Sequence, residues 1–377
     1  MDFKGTRFLL APSHPLRPSN RGWRKPKKPV QITLATNNGR IGGGEVMLLN
    51  IATALTTLGV SVQVLAPTSP SELAERATRG GIKVIRLEAN SRISWMWAIR
   101  NWRRHNSSGV IWCNGLLPAV ATSFMRDRIV HLHQVPTGFL ALLAPIARWN
   151  ALATLVPSKF MAAILPGARV LTNWVEPVKV SSTPFLSSSS SATEKIRIGF
   201  IGRVSIEKGV DTLVQAFELL ESRHPSKFSL VIAGEPLFAS KPSANKAVQA
   251  LNRVQAQCKR LGWVTTSEFF SQVDILVCPS SWQEPFGLVL AEAMSARRPI
   301  VATRVGAIPE VCGEDYEFLS NATDAKALAK SIENLSSATP QKLVSIVDQM
   351  QLRWKKRFSP ESGENNLRVL LNELNLH

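Results

Sequence analysis

Val30-Gln-Ile-Thr-Leu-Ala35, then Gly42-Gly43-Gly44 and the run Glu45 to Leu58, then Gly59 and Val60-Ser-Val-Gln-Val-Leu65 read as one continuous phrase. The outer pieces are short, apolar and rich in β-branched residues, which predicts strands. Glu45 to Leu58 carries apolar residues at helical spacing. Gly59 is suited to end that helix, because a residue without Cβ adopts left-handed backbone at little cost. Two strands joined through a helix pair in parallel by a right-handed crossover.

The same alternation recurs along the rest of the chain. Ile82–Leu87, Val110–Cys113, Ile129–His133, Ala153–Val156 and Ala168–Thr172 are further strand candidates, separated by helical stretches. Pro177, Pro184 and the serine run 187–191 then break the rhythm, which reads as a linker. The alternation restarts at Ile196–Ile201, followed by a helix over Val210–Leu220 and strands at Ser229–Ala233, Asp274–Cys278 and Pro299–Ala302. The expected architecture is α/β, with two doubly wound parallel-sheet domains. Residues 1–29 form a basic, Pro-punctuated tail, expected to be disordered. Residues 30–176 form a first domain, 177–194 the linker and 195–357 a second domain. A terminal helix over 358–377 is placed to cross back to the first.

Bulk properties bound the function. The 377 residues suffice for about two domains. Four scattered cysteines, with no CxxC pair, point to reduced thiols rather than a zinc site or a disulfide frame. No stretch resembles a signal peptide, and none reaches the ~20 apolar residues that span a bilayer. The nearest run, Gly138–Pro157, is broken by Arg148 and Asn150. A cytoplasmic protein, peripheral on the inner face of a membrane at most, is expected. The net charge of +18 is lopsided: residues 1–180 hold 23 Lys and Arg against 7 Asp and Glu, residues 181–377 hold 22 against 20. An anionic partner for the first half is expected, whether nucleic acid, membrane or a phosphate-bearing acceptor.

The chemistry concentrates in Cys278-Pro-Ser-Ser-Trp-Gln-Glu-Pro-Phe-Gly-Leu-Val-Leu-Ala-Glu-Ala-Met294. A strand ends at Cys278, and Pro285 suits the first turn of a following helix. Free amides of Phe286, Gly287 and Leu288 would then face an anion such as a diphosphate, with Gly287 allowing close approach. Glu284 is expected just before that helix and Glu292 eight residues on, roughly 12 Å apart along the axis. That spacing suits one carboxylate per sugar of a nucleotide sugar, and exceeds the about 5–9.5 Å of glycoside hydrolases. A helix with one solvated Glu and one dipole-stabilised Glu is the plainer alternative. Phe200-Ile-Gly-Arg-Val-Ser-Ile-Glu-Lys-Gly-Val210 also leaves a strand for a helix. Gly202 frees the turn. Arg203 and Lys208 put two cations at the carboxyl edge of the sheet, where they can neutralise a leaving diphosphate in place of a metal ion. A surface ion pair with Glu207 is the competing reading.

Gly202-Arg203…Glu207-Lys208-Gly209, Glu284-x7-Glu292 and Val305-Gly306-Ala-Ile-Pro-Glu310 together resemble the family 4 glycosyltransferases of the GT-B fold. Gly42-Gly43-Gly44-Glu45, His133 and Asn173-Trp-Val-Glu176 extend the resemblance into the first half. The resemblance implies two Rossmann-like domains facing a cleft and sugar transfer with retention, with no cofactor and no metal. Arg203 and Lys208 would hold the donor diphosphate. Glu284 and the amides of Phe286 to Leu288 would meet sugar and phosphate, and Glu292 the ribose. Gly43 and Gly44 would approach the phosphate, and His133 the transferred sugar. Trp174, Ala307, the stretch Gly234-Glu235-Pro236 and Arg297-Arg298 depart from the family pattern.

His131, two residues from His133, competes for the histidine role. The Trp- and Arg-rich stretch Arg92–Arg104 reads either as a packed helix with a basic face or as a helix lying on an anionic membrane. The expected function is hexosyl transfer from a nucleotide-diphosphate sugar to a saccharide or lipid-linked acceptor in cell-surface glycan or glycolipid synthesis. An epimerase or non-catalytic nucleotide-sugar binder is the alternative. A nucleic-acid-binding protein is a weaker one, since no nucleic-acid motif is present and the charge avoids the second half; specific nucleic-acid binding is not expected.

Overall fold

The computed structural model describes residues 30–180, 195–236 and 239–376. The expectations for the tail and for the serine run fall outside these residues. Strands β1 (Gln31–Ala35), β2 (Ser61–Pro67), β3 (Lys83–Leu87), β4 (Val110–Asn114), β5 (Arg128–His131), β6 (Ala153–Val156) and β7 (Arg169–Val170) form one sheet in the order β3-β2-β1-β4-β5-β6-β7. Strands β8 (Ile196–Ile201), β9 (Phe228–Ala233), β10 (Cys258–Gly262), β11 (Ile275–Cys278), β12 (Ile300–Thr303) and β13 (Leu319–Ser320) form a second, in the order β10-β9-β8-β11-β12-β13. Every pairing is parallel.

Helices α1 (Gly43–Thr57), α2 (Glu72–Arg79), α3 (Arg92–His105), α4 (Leu116–Ala121), α5 (Phe139–Arg148) and α6 (Lys159–Ile164) cover the first sheet. Helices α7 (Val210–Arg223), α8 (Lys241–Arg253), α9 (Thr266–Phe270), α10 (Leu288–Ser295), α11 (Ile308–Cys312), α12 (Ala325–Ser336) and α13 (Pro340–Arg357) cover the second. Helices on both faces explain why the central strands are apolar without alternation: β4 reads Val-Ile-Trp-Cys-Asn and β11 Ile-Leu-Val-Cys, buried throughout. Two strands lie outside the sequence reading. β10 is Cys-Lys-Arg-Leu-Gly on an exposed edge, and β13 is a two-residue edge strand; neither carries an apolar run.

The last helix, α14 (Pro360–Glu373), packs on α1. Its Leu367, Leu370 and Leu371 enter the core of the first sheet beside Ile51 and Leu55. The chain thus leaves the second sheet to finish on the first.

In each sheet the strand order reverses once, between β1 and β4 and between β8 and β11. Loops leaving neighbouring strands there diverge to opposite faces and open a crevice at the carboxyl edge. Arg203, Lys208 and Glu284 sit in these loops of the second sheet; in the first, Gly43 and Gly44 open the helix after β1, and His133 follows β5.

Candidate active site

Three loops of the second sheet are stapled together. After β8, the carbonyl of Glu207 accepts from the amides of Ser281 and Trp282 at 3.1 and 3.2 Å, and the Ile206 carbonyl accepts from Ser281 Oγ. A Cβ on Gly209, at φ 72°, would lie 1.8 Å from the Pro279 carbonyl oxygen, so only glycine lets the two loops touch. After β12, the Ala307 amide donates to the Glu284 carbonyl at 2.8 Å and the Gly306 amide to Gln283 Oε1 at 3.0 Å.

This stapling brings Lys208 to Glu284. Nζ and Oε2 lie 2.6 Å apart, with Ser280 Oγ donating to the same oxygen at 3.2 Å. Both side chains are largely sheltered, so each charge is held ready rather than solvated. Arg203 lies one loop turn away, close enough to act on Glu207. Burial pushes the Glu207 carboxyl up, but hydrogen bonds led by Ser243 Oγ at 2.7 Å, together with the Arg203 charge, leave it below its ordinary value.

Two sequence expectations are corrected here. Pro285 is not in a first helical turn: α10 begins at Leu288, capped by Gly287 at φ 85°. The amides at this helix start, from Phe286 through Gly287 and Leu288 to Val289, meet no acceptor among the described residues. The Phe286 ring turns inward and packs edge-on against Phe358 at 5.5 Å. Glu284 also lies outside the helix, so a helical rise does not set its distance from Glu292. Glu292 occupies the second turn of α10. Desolvation raises its carboxyl to about 7, and no donor reaches it among the described residues.

The first sheet supplies the opposite wall. Its loop after β1 leads into Gly43 and Gly44 at the start of α1. His133 lies just beyond β5. Its Nε2 meets Asn114 Oδ1 at 2.6 Å, and Asn114 Nδ2 donates to the Gly44 carbonyl at 3.2 Å. The amide's commitment to Gly44 turns its oxygen to the ring, which assigns the His133 proton to Nε2 and leaves Nδ1 an unpartnered acceptor. Desolvation lowers His133 to about 4, so the ring is neutral at pH 7. The His131 ring lies 4.1 Å from it, tilted by 44°, but is fully buried, with both nitrogens unpartnered. It backs His133 rather than lining the cleft. Asn114, the last residue of β4, escaped the sequence reading. Its signal was available: a buried amide ending an apolar strand at the reversal point.

The two walls meet. A Cβ on Gly44 would lie 3.2 Å from the His133 ring, and one on Gly43 would lie 3.3 Å from Leu288, the first residue of α10. His133, Gly44, Gly43, Leu288, Glu284 and Lys208 therefore form one continuous lining. Nearby, Ser158 Oγ donates to the Pro285 carbonyl at 2.7 Å. Glu310 accepts from the amides of Lys159 and Phe160 at 3.1 and 3.2 Å, capping α6 from the other domain. Neither cross-cleft contact is visible in sequence, because each joins residues over 120 positions apart. Among the described residues, no group of three or more His, Cys, Asp or Glu is placed to hold a metal ion.

A family model described as "Glycosyl transferases group 1" matches residues 195–338, and one described as "Glycosyltransferase Family 4" matches residues 41–170. The two matches fall on the two sheets in turn. The chain belongs to the family 4 glycosyltransferases. Among curated relatives, an uncharacterized 42.6 kDa protein in the cps region of Klebsiella pneumoniae is 38% identical over 146 residues, 38% of this chain and 36% of that protein. The lipopolysaccharide 1,2-N-acetylglucosaminetransferase of Salmonella typhimurium is 30% identical over 118 residues, 29% of this chain and 31% of that one. These alignments span about a third of the relatives' own length. Among solved structures, Anabaena HepE in complex with UDP and glucose superposes with a TM-score of 0.77 at 20% identity, covering 91% of this chain and 99% of that one. Sucrose-phosphate synthase from Thermosynechococcus elongatus gives 0.75 at 18%, covering 92% and 99%. At such identities the likeness is one of fold, and the fold is GT-B.

Within this family 4 glycosyltransferase the departures from pattern have local reasons. Gly306, at φ 56°, must be glycine, since a Cβ would lie 2.3 Å from the Glu284 carbonyl oxygen. Ala307, at φ −85°, has no such need. Arg298 is buried and donates to the carbonyls of Phe270 and Val273, and Arg297 pairs with Asp348 at 2.6 Å. Trp174 is buried against Gly363 of α14.

Proposed function

We propose that this protein transfers a hexosyl group, with retention of anomeric configuration, from a nucleotide-diphosphate sugar to a saccharide or lipid-linked acceptor in cell-surface glycan synthesis. The observation that carries the reading is the continuous lining from His133 across Gly44, Gly43 and Leu288 to Glu284 and Lys208. In it, unpaired amides at a helix start face the cleft beside an ammonium, which is the chemistry a diphosphate requires.

The roles follow from charge. Lys208 and Arg203 neutralise the diphosphate as it leaves, without a metal ion. Glu284, held by Lys208 and Ser280, exchanges that ion pair for hydroxyls of the donor sugar. Glu292 accepts from the ribose hydroxyls, whose donors suit a desolvated carboxylate to which no described residue donates. Neutral His133 meets the sugar without adding positive charge near the bond that breaks. The basic first half receives an anionic or membrane-held acceptor. Solved relatives described as holding UDP or UDP-glucose support a uridine diphosphate sugar as the first donor to test.

The test is a thermal-shift screen against nucleotide diphosphates and their sugars. A donor at 100 times its Kd should stabilise by about 2.7 kcal/mol. With that donor, Glu284→Ala and Arg203→Ala should each lower turnover by about 10²–10³ with the fold intact. Near wild-type rates in both would end the catalytic reading. Recovery of an altered nucleotide sugar without an acceptor would identify an epimerase.

A further inference from the structure

Helix α5 is built inside out. Only Ala144 and Ala147 are buried, while the bulky residues face solvent: Phe139 is 73% exposed, Leu142 70%, Ile146 43% and Trp149, just past the helix, 67%. The intervals 139, 142, 146 and 149 place these four on one face. An ordinary surface helix buries its large apolar residues and shows its small or polar ones. Helix α4 packs against both α3 and α5. Phe124, beyond the end of α4, and Ile93 and Trp97 of α3 are exposed as well. Trp97 is the outward part of the Trp- and Arg-rich stretch; its Trp95 is buried, so that stretch alone is mainly a packed helix. Contiguous exposed apolar surface of this kind marks an interaction site.

Charge decides the occupant. No charged side chain lies between Arg128 and Arg148, and no carboxylate between Asp127 and Glu176. In the same domain Arg92, Arg104, Arg126 and Lys159 are exposed, and Arg169 is exposed but paired with Glu373. A second copy of the chain would bring two such basic surfaces together. The tail 1–29 carries eight Lys and Arg against one Asp, and has the same sign. An anionic bilayer offers apolar depth and opposite charge at once. No helix of the described residues is long and apolar enough to cross a membrane. At ten residues, α5 is about 15 Å long and suits the plane of the interface.

We propose that α5 inserts its Phe139–Trp149 face into the headgroup region of an anionic bilayer, drawn there by the positive charge of its domain, and seats the cleft there. Phe139 follows His133 by six residues, so the docked helix turns the acceptor side of the cleft toward the lipid. An acceptor anchored in that bilayer then reaches the site without leaving it. This rests on the glycosyltransferase reading only for what the docking serves.

The experiment is co-sedimentation of the full chain with phosphatidylcholine vesicles, with and without phosphatidylglycerol. Binding is expected only to the anionic vesicles and should weaken as salt is raised. Leu142→Ser with Ile146→Ser should lower it at least about tenfold, whereas Leu142→Phe with Ile146→Leu should retain it. All four substitutions are at exposed positions, and melting temperature checks the fold. The same proteins are screened for nucleotide-diphosphate stabilisation, so the two readings fail separately. The proposal is overturned if the wild type ignores anionic vesicles, if the serine variant binds as well as the wild type, or if the serine change instead dissociates a dimer.

Discussion

At the scale of single residues, Glu292 and His133 are held away from their ordinary ionisation. Glu292 has an ordinary value of 4.5 and a folded value of about 7. Between those values the folded state holds the proton more tightly than the unfolded one. Its contribution to stability is complete below about pH 4.5 and is lost as pH rises through 7. Glu292→Gln should therefore melt higher than wild type at pH 8 and close to it at pH 5, by scanning calorimetry at both. An equal difference at both pH values would show that the carboxyl is not desolvated. The same substitution should weaken nucleotide binding at pH 8, where the carboxylate is the ribose acceptor. His133 runs the other way: lowered from 6.5 to about 4, it contributes stability above 6.5 that is lost as pH falls through 4.

At the scale of elements, pairs that look anomalous singly make sense together. Trp174 stands where the family often has glycine, and Gly363 sits within helix α14, where glycine is unfavourable. The indole fills the space the glycine leaves: a Cβ on Gly363 would lie 2.1 Å from the ring, and Asn50 holds the Trp174 carbonyl at 2.9 Å. Gly363→Ala should destabilise by at least about 1–3 kcal/mol despite its better helix propensity, measured by urea denaturation, with Trp174→Gly relieving part of the clash. A gain in stability would refute the packing. Across the cleft, Glu310 caps α6 through two amides while Ser158 holds the Pro285 carbonyl. Glu310→Gln removes the charge assistance and should shift the domains toward an open arrangement by about 0.5–1.5 kcal/mol. Small-angle scattering of the nucleotide-free protein should then give a larger radius of gyration than wild type; an unchanged radius would dismiss the clasp.

At the scale of the whole molecule, the two sheets do not end as independent units. The first depends on α14 for part of its core, and α14 is reached only through the second. We expect one calorimetric unfolding transition rather than two. Two well-separated peaks would show that α14 and the cross-cleft contacts do not couple the halves.

The sequence by itself determined the alternation of apolar strands and helices, and hence two parallel sheets with glycine-rich loops at their carboxyl edges. Those signals are local: Val110–Cys113 and Ile275–Cys278 are apolar throughout because both faces of a covered sheet are dry. It also placed Lys208, Glu284 and His133 at strand ends. Edge strand β10, with Lys259 and Arg260 exposed, left no such mark. What only the tertiary structure decided is whatever joins distant positions. Asn114 orients His133, Lys208 pairs with Glu284, Glu310 caps a helix of the other domain, and α5 turns its bulky face outward. Pattern along a chain reports which residues avoid water on average; which two of them touch depends on how sheets stack and loops meet.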